Sequence, residues 1–466
     1  VYGNERLAAL MREAGFLRED GSVGRKTFAR AVSTHAGRPL THTYVSRWLD
    51  GMVPRDLPTR RAIATALGQR LGRTVGLEEL GFGRTEKLPA DLGLKYPDSS
   101  QEGIAALTRL WQGDLDQVHT LLASPTNVAA WNEASLSWLV SSAADVELLS
   151  TGARVVGLAD LARVRTTVDL FDRLDAQFGG GHARRSLVEF LRNDLAQLLR
   201  GTYTDVVGRE LFQVAASATM LGAWMSYDAG LHGLAQRYFV QALKLADAAG
   251  DRLLAAGILD AMSHQATFLG RYREAANLAR AARVGTESAG SARSAAHFSA
   301  MEARALARLG DTAACDRAMA VAVREFERCE GDDQAEWFGY FDDAELAAEL
   351  GHCNRDLGRA VDATTYAMQS VGGNGEQVRS DFFATMVLAD AYLHQGEAEE
   401  ACRVALTALQ VGEQLVSARC ASYVGEFRQR LDGLGDSPVA RAFVEQARTT
   451  RLWATAVPSP RGSRRS

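Results

Sequence analysis

Apolar residues recur along this chain at intervals of three and four, the mark of helices that bury one face. Leu7, Leu10, Met11 and Ala14 form a first amphipathic helix, which Gly15 ends. After a polar loop from Arg18 to Gly24, a second helix runs from Arg25 to about His35, with Phe28, Ala31 and Val32 inward. Gly37, Arg38 and Pro39 break it. The pattern predicts a third helix from His42 to Leu49, burying Val45 and Trp48 and closed by Asp50 and Gly51. Thr41 suits its N-cap, because a hydroxyl there can accept from an unpaired backbone N–H. A fourth helix starts at Pro58 and runs to Leu71, with Ile63, Ala66 and Leu67 apolar. Short helices, a turn and then a cap-started helix follow helix-turn-helix logic. The third helix would enter a major groove by its N-terminal end.

Further along, the pattern repeats. Five glycines are each followed five residues later by a small residue: Gly230 by Ala235, Gly270 by Ala275, Gly310 by Cys315, Gly358 by Ala363 and Gly396 by Ala401. Twelve after each glycine sits Ala242, Ala282, Ala322, Ser370 or Ala408. The glycines are 40, 40, 48 and 38 residues apart. This predicts helix-turn-helix repeats with glycine in the tight turn and small residues where paired helices approach. The phase resembles tetratricopeptide (TPR) repeats.

Residues 102–215 read as helical with a weaker phase. Leu107, Leu110, Trp111, Leu115, Val118 and Leu122 make one stripe, and Leu187 to Leu199 another. Phe178-Gly179-Gly180-Gly181 reads as a loop; it lacks the Lys and Ser/Thr of a phosphate cradle. The expected organisation is all-α: a helix-turn-helix domain over 1–90, a linker over 91–101, divergent helical repeats over 102–215, TPR-like repeats over 216–450 and a disordered basic tail over 451–466.

Charge sharpens this division. The chain carries a net charge of −5. Residues 1–90 hold 15 Lys and Arg against 9 Asp and Glu, a net of +6, and the rest is acidic. A basic head on an acidic body is the layout of a protein whose head meets a polyanion. His42, Thr43, Tyr44 and Arg47, near the start of the third helix, are the base-contact candidates. Arg25, Lys26, Thr27, Arg38, Arg55, Arg60 and Arg61 are the phosphate candidates, setting position and affinity rather than sequence.

Phe28-Ala29, Val45-Ser46-Arg47-Trp48, Gly51 and Pro54 together resemble the XRE (lambda-repressor-like) family. One departure stands out: the stretch from Phe28 to Ser46 is longer than the family's usual turn. Gly222-Ala223-Trp224-Met225, Tyr227-Asp228 and Gly233 to Phe239 resemble the actinomycete regulators that join such a head to TPR repeats, including the Nsd-type repressors of sporulation and antibiotic production. The resemblance implies a lambda-repressor-like head, a TPR-like solenoid and a homodimer on double-stranded DNA. It also implies a regulator of development or secondary metabolism, with repression the expected sign.

In a TPR stack the first helices of the pairs line a concave groove. Six residues before each turn glycine come Trp224, His264, Arg304, His352 and Asp390; three further on come Tyr227, Thr267, Ala307, Arg355 and Leu393. Of these, Trp224, Tyr227, His264, Arg304, His352, Arg355 and Asp390 are the candidates to grip an effector, a peptide or a small molecule. The alternatives are a hydrated groove or one filled by another helix. Trp337, Phe338, Tyr340 and Phe341 read as core, with a dimer contact as the alternative.

No catalytic motif of the H-E-x-x-H, G-x-S-x-G or Walker type appears. The five cysteines are scattered and form no C-x-x-C pair, which argues against a metal site and a disulfide framework. No cofactor and no catalysis are expected. Without an apolar run long enough to span a bilayer, and without a secretory leader, the expected location is the cytoplasm, with no membrane partner. The competing expectation is a TPR adaptor that binds proteins or peptides and no specific DNA.

Overall fold

The computed structural model describes residues 2–54, 56–77, 79–82, 88–141, 152–289, 291–329, 339–372, 378–435 and 437–456. The chain is all-α; among these residues the only β-pairing is two isolated bridges. The expectations for Arg55, Trp337, Phe338 and the stretch 458–466 lie outside the described residues.

The first helices are α1 (Glu5–Glu13), α2 (Arg25–Ala36), α3 (His42–Leu49) and α4 (Leu57–Leu71). Then come α5 (Ser100–Leu115), α6 (His119–Leu122), α7 (Val128–Val140), α8 (Leu158–Phe178) and α9 (Gly180–Phe190), which passes through a π-turn at Leu191–Leu195 into α10 (Ala196–Leu199). The repeat helices follow: α11 (Asp205–Asp228), α12 (His232–Ala249), α13 (Arg252–Phe268), α14 (Tyr272–Gly285), α15 (Ala292–Leu309) and α16 (Thr312–Glu327). They continue with α17 (Asp343–Asp356), α18 (Ala360–Ser370), α19 (Val378–His394), α20 (Ala398–Val411) and α21 (Ala418–Leu431), and end with α22 (Pro438–Ala447) and α23 (Arg451–Thr455). The chain divides into two compact units.

One unit comprises Val1–Leu92 and Arg109–Pro125, so the head is not bounded at residue 90 but recruits a second stretch of chain. Leu7, Met11, Phe28, Val32, Val45, Trp48, Leu49, Ile63 and Leu67 form its core, joined by Val75, Leu77, Leu80 and Phe82. Asn4 caps α1 by accepting from Leu7 N at 3.0 Å and donates to the Leu80 carbonyl at 2.7 Å, tying the two ends of the head together. Gly37, at φ 63°, stops α2 in the left-handed region, where a side chain is disfavoured. The chain then turns Leu40 inward, with its N–H on Ser33 Oγ at 2.9 Å. Thr41 is extended as expected, but its hydroxyl makes no cap hydrogen bond. Asp56 does cap α4, accepting from Thr59 N at 2.8 Å.

The other unit comprises Gly93–Thr108 and Thr126–Ser466. Its repeats are five helix pairs, α11/α12 through α19/α20, and they begin at Asp205 rather than at 216. All five turn glycines have positive φ, between 76° and 82°. Ala235, Ala275, Cys315, Ala363 and Ala401 are fully buried in the pair contacts, where a larger side chain would hold the helices apart. The first helices α11, α13, α15, α17, α19 and α21 pack in an unbroken row.

Three expectations change here. The stretch 91–101 is no loose linker: Tyr96 is buried with its OH on Asp247 Oδ2 at 2.8 Å, and Gln241 donates to the Gly93 and Lys95 carbonyls. The triple glycine is no loop: Gly180 and Gly181 open α9, where a Cβ on Gly180 would meet the Met225 carbonyl at 2.7 Å. The tail begins ordered: α23 buries Leu452 and Trp453, and Arg451 donates to the Leu415 carbonyl at 2.6 Å.

Candidate functional site

The two faces of α3 differ sharply. Val45, Trp48 and Leu49 are buried, and His42, Thr43, Tyr44 and Arg47 are exposed. The Arg47 guanidinium makes no hydrogen bond or ion pair among the described residues. Each α3 side chain takes its side from helical spacing alone: Val45 and Trp48, three apart, anchor the helix, and what lies between them points outward.

The phosphate candidates split. Lys26 is exposed. Thr27 is also exposed and turns its hydroxyl onto the Gly24 carbonyl at 2.8 Å. Arg25 donates to Ser46 Oγ at 3.2 Å, bracing α3 from α2. Arg38 donates to Asp56 at 3.0 Å and to Thr59 Oγ1 at 2.6 Å, so it buttresses the α4 cap. Arg60 donates to the Pro54 carbonyl at 2.6 Å and Arg61 to the Leu115 carbonyl at 3.1 Å. Arg60 and Arg61 thus hold the head's own backbone, and Arg25 and Arg38 bond its side chains, which their spacing did not reveal.

The helical body contains a cavity of about 510 Å³. The row of first helices forms its wall, and α8 closes it by packing on both α11 and α19. Trp224, His264, Arg304 and His352 line it. The remaining groove candidates do not. Tyr227 lies fully buried behind the wall, its OH paired with His264 Nδ1 at 3.0 Å. Arg355 and Asp390 sit 3.7 Å apart in a buried ion network with Asp356 and Arg430, where their charges are already matched. Arg355 lines only a small adjoining pocket.

Charge crowds the cavity. Arg304 meets Glu349 at 2.9 Å, Arg379 meets Asp175 at 2.7 Å and His297 Nδ1 meets Asp260 at 3.1 Å. Tyr340 closes a relay, its OH 3.2 Å from His297 Nε2. Tyr340 is 47% exposed and faces the cavity rather than filling the core, whereas Phe341 is buried as expected. Burial, followed by the charge of Arg419, drives the His264 pKa well below its ordinary value. Burial and Arg304 do the same to His352, so both rings are neutral. Burial also opposes the charge on His297, but the Asp260 carboxylate outweighs it and raises that pKa. Burial, then the neighbouring Glu349, lifts Glu345 to about 7. Asp175 rises to about 6 by burial, with Arg379 pulling the other way.

The head matches a known family model. It is that of the SP15 N-terminal domain, and it spans residues 7–83. The matched stretch takes in nearly all of α1 and the whole of α2, α3 and α4. No curated protein matches the chain.

Asp172, Asp175, Asp260, His297, Tyr340, Glu345, Glu349, Arg379 and Arg419 are cavity residues that sequence reasoning missed. A signal for some of them was present. Thirteen residues before each turn glycine stand Ser217, Gly257, His297, Glu345 and Phe383, and all five line the cavity. They lie two helical turns back on the same face as the row at minus six. Asp172 and Asp175 carried no such signal, because α8 stands outside the repeat phase. Among the described residues, no three His, Cys, Asp or Glu side chains are placed to hold a metal ion, and no helix is long and apolar enough to cross a membrane.

Proposed function

We propose that this protein is a cytoplasmic, DNA-binding transcription regulator whose head reads a major groove with α3 and whose helical body holds an effector. The observation that carries the reading is the exposed polar face of α3 on a basic four-helix head. His42, Thr43, Tyr44 and Arg47 project from its first turns while Trp48 and Val45 lock the opposite side. A helix so held offers side chains to base edges without reorganising, and nearby cations add sequence-independent affinity. The regulator works as a homodimer, since a single small head covers too little DNA to bind tightly alone. By resemblance it controls development or secondary metabolism, most simply as a repressor. The reading gives the cavity no catalytic role: the Asp260–His297 pair orders a phenol.

A gel-shift series with genomic fragments at fixed salt tests the proposal. A minority of fragments is expected to stay bound when random duplex competes. If no duplex of any sequence is retained, and a stable protein complex forms instead, the adaptor reading takes its place.

A further inference from the structure

We infer that the cavity of the helical body is a binding site for a small amphipathic organic amine, its ammonium group held at the end of the cavity that Asp260 and Glu345 line. The inference rests on reading the body as the effector-binding part, and not on DNA binding by the head.

The first ground is an imbalance of charge. Six carboxylates and three guanidinium groups line the cavity. Arg304 and Arg379 are matched by Glu349 and Asp175, and Arg419 reaches Asp228 at 3.4 Å behind the wall. Among the described residues the half-buried Glu345 carboxylate is left without a hydrogen bond or ion pair, whereas Asp169 and Asp172, also without one, are exposed to water. An anionic ligand would add to that excess.

The second ground is independent of the count. Asp260 is only 4% exposed, and its Oδ1 has no hydrogen-bond partner while Oδ2 faces His297. Asp175, 3% exposed, likewise leaves Oδ1 unpartnered. A buried acceptor left unmade destabilises the fold, and more so when it is charged. A ligand that brings N–H donors with positive charge removes that cost. Tyr340 marks this end of the cavity, its OH 3.2 Å from His297 Nε2 and the other ring nitrogen of His297 3.1 Å from Asp260.

The third ground is the rest of the lining. Trp224, Met220, Leu221, Leu254, Met301 and Phe383 supply the apolar part of the lining. A volume of about 510 Å³ suits a molecule of drug size. Arg419 lies 4.6 Å from the Phe383 ring centroid and 5.9 Å from that of Trp224, which stiffens the aromatic wall.

Isothermal titration calorimetry on the full chain tests this with matched probes: tryptamine and phenethylamine, against indole-3-propionate and hydrocinnamate. One amine is expected to bind per chain, at least about tenfold tighter than the carboxylate of the same ring system, a gap of about 1.4 kcal/mol. Asp260→Asn and Glu345→Gln are each expected to weaken the amine about tenfold while circular dichroism stays unchanged. Equal binding of amine and carboxylate overturns the proposal. So does the failure of both amines to bind, or undiminished amine binding by the folded E345Q variant. Amine binding without duplex binding removes the regulator reading alone, and duplex binding without amine binding removes this inference alone.

Discussion

The two units of the molecule use charge in opposite ways. The outer face of α3 keeps Arg47 in solvent, its guanidinium without a hydrogen bond or ion pair among the described residues, and Lys26 stands exposed at the start of α2. The cavity wall draws most of its charges out of bulk water and pairs many of those, as in Arg304–Glu349 and Arg379–Asp175. An exposed charge costs the fold little and stays available to a partner. A buried charge costs several kcal/mol unless it is paired, so the pairs hold the wall together and the leftovers point to a ligand. The same residue type therefore has different meanings in the two places: Arg47 is poised to meet a duplex, while Arg304 holds a wall.

The largest effect that would sharpen this contrast comes from breaking a buried pair. Glu349→Gln leaves the Arg304 charge buried and unmatched, and is expected to destabilise the helical body by about 3–5 kcal/mol in denaturant unfolding. Replacing both, as R304M/E349L, is expected to recover most of that loss. A single variant as stable as the parent would show that the wall does not depend on the pair.

Next comes acid. His264 and His352 titrate lower when folded than when unfolded, so the unfolded chain binds more protons below about pH 6.5. Their contribution is complete above that pH and is lost as pH falls, by about 1.4 kcal/mol per histidine for each pH unit. Glu345 acts the other way between its ordinary value and about 7, being protonated in the folded state first. The readout is therefore the difference between the parent and the H264Q/H352Q variant. The variant is expected to gain on the parent as pH drops from 7 to 5.5, and parallel curves would mean the rings are not held neutral. The smallest effect belongs to the surface. Lys26→Ala is expected to lower duplex affinity evenly across sequences and to reduce the slope of log affinity against log salt by about one.

Local rules made the head legible. Glycine, proline and the three-four spacing placed α3 at His42–Leu49 and the other helix ends within two residues. The turn glycines of the repeats were legible for the same reason, since positive φ and close helix approach act over a few residues. What escaped is what depends on distant chain. Arg38, Arg60 and Arg61 looked like free cations because Asp56, Pro54 and the Leu115 carbonyl become their neighbours only on folding. Tyr96 looked like linker because Asp247, its partner, lies 151 residues away. Four lining residues of the cavity were legible as the row Trp224, His264, Arg304, His352; Asp172 and Asp175 were not, because α8 belongs to no repeat.

Fluorescence-anisotropy titration of Arg47→Ala with a retained duplex and with a scrambled one, at the same salt, probes the α3 surface most directly. A loss of about 1–3 kcal/mol on the retained duplex, with the scrambled duplex nearly unaffected, is the predicted result. Equal losses on both, or none on either, would contradict the assignment of α3 as the element that reads sequence.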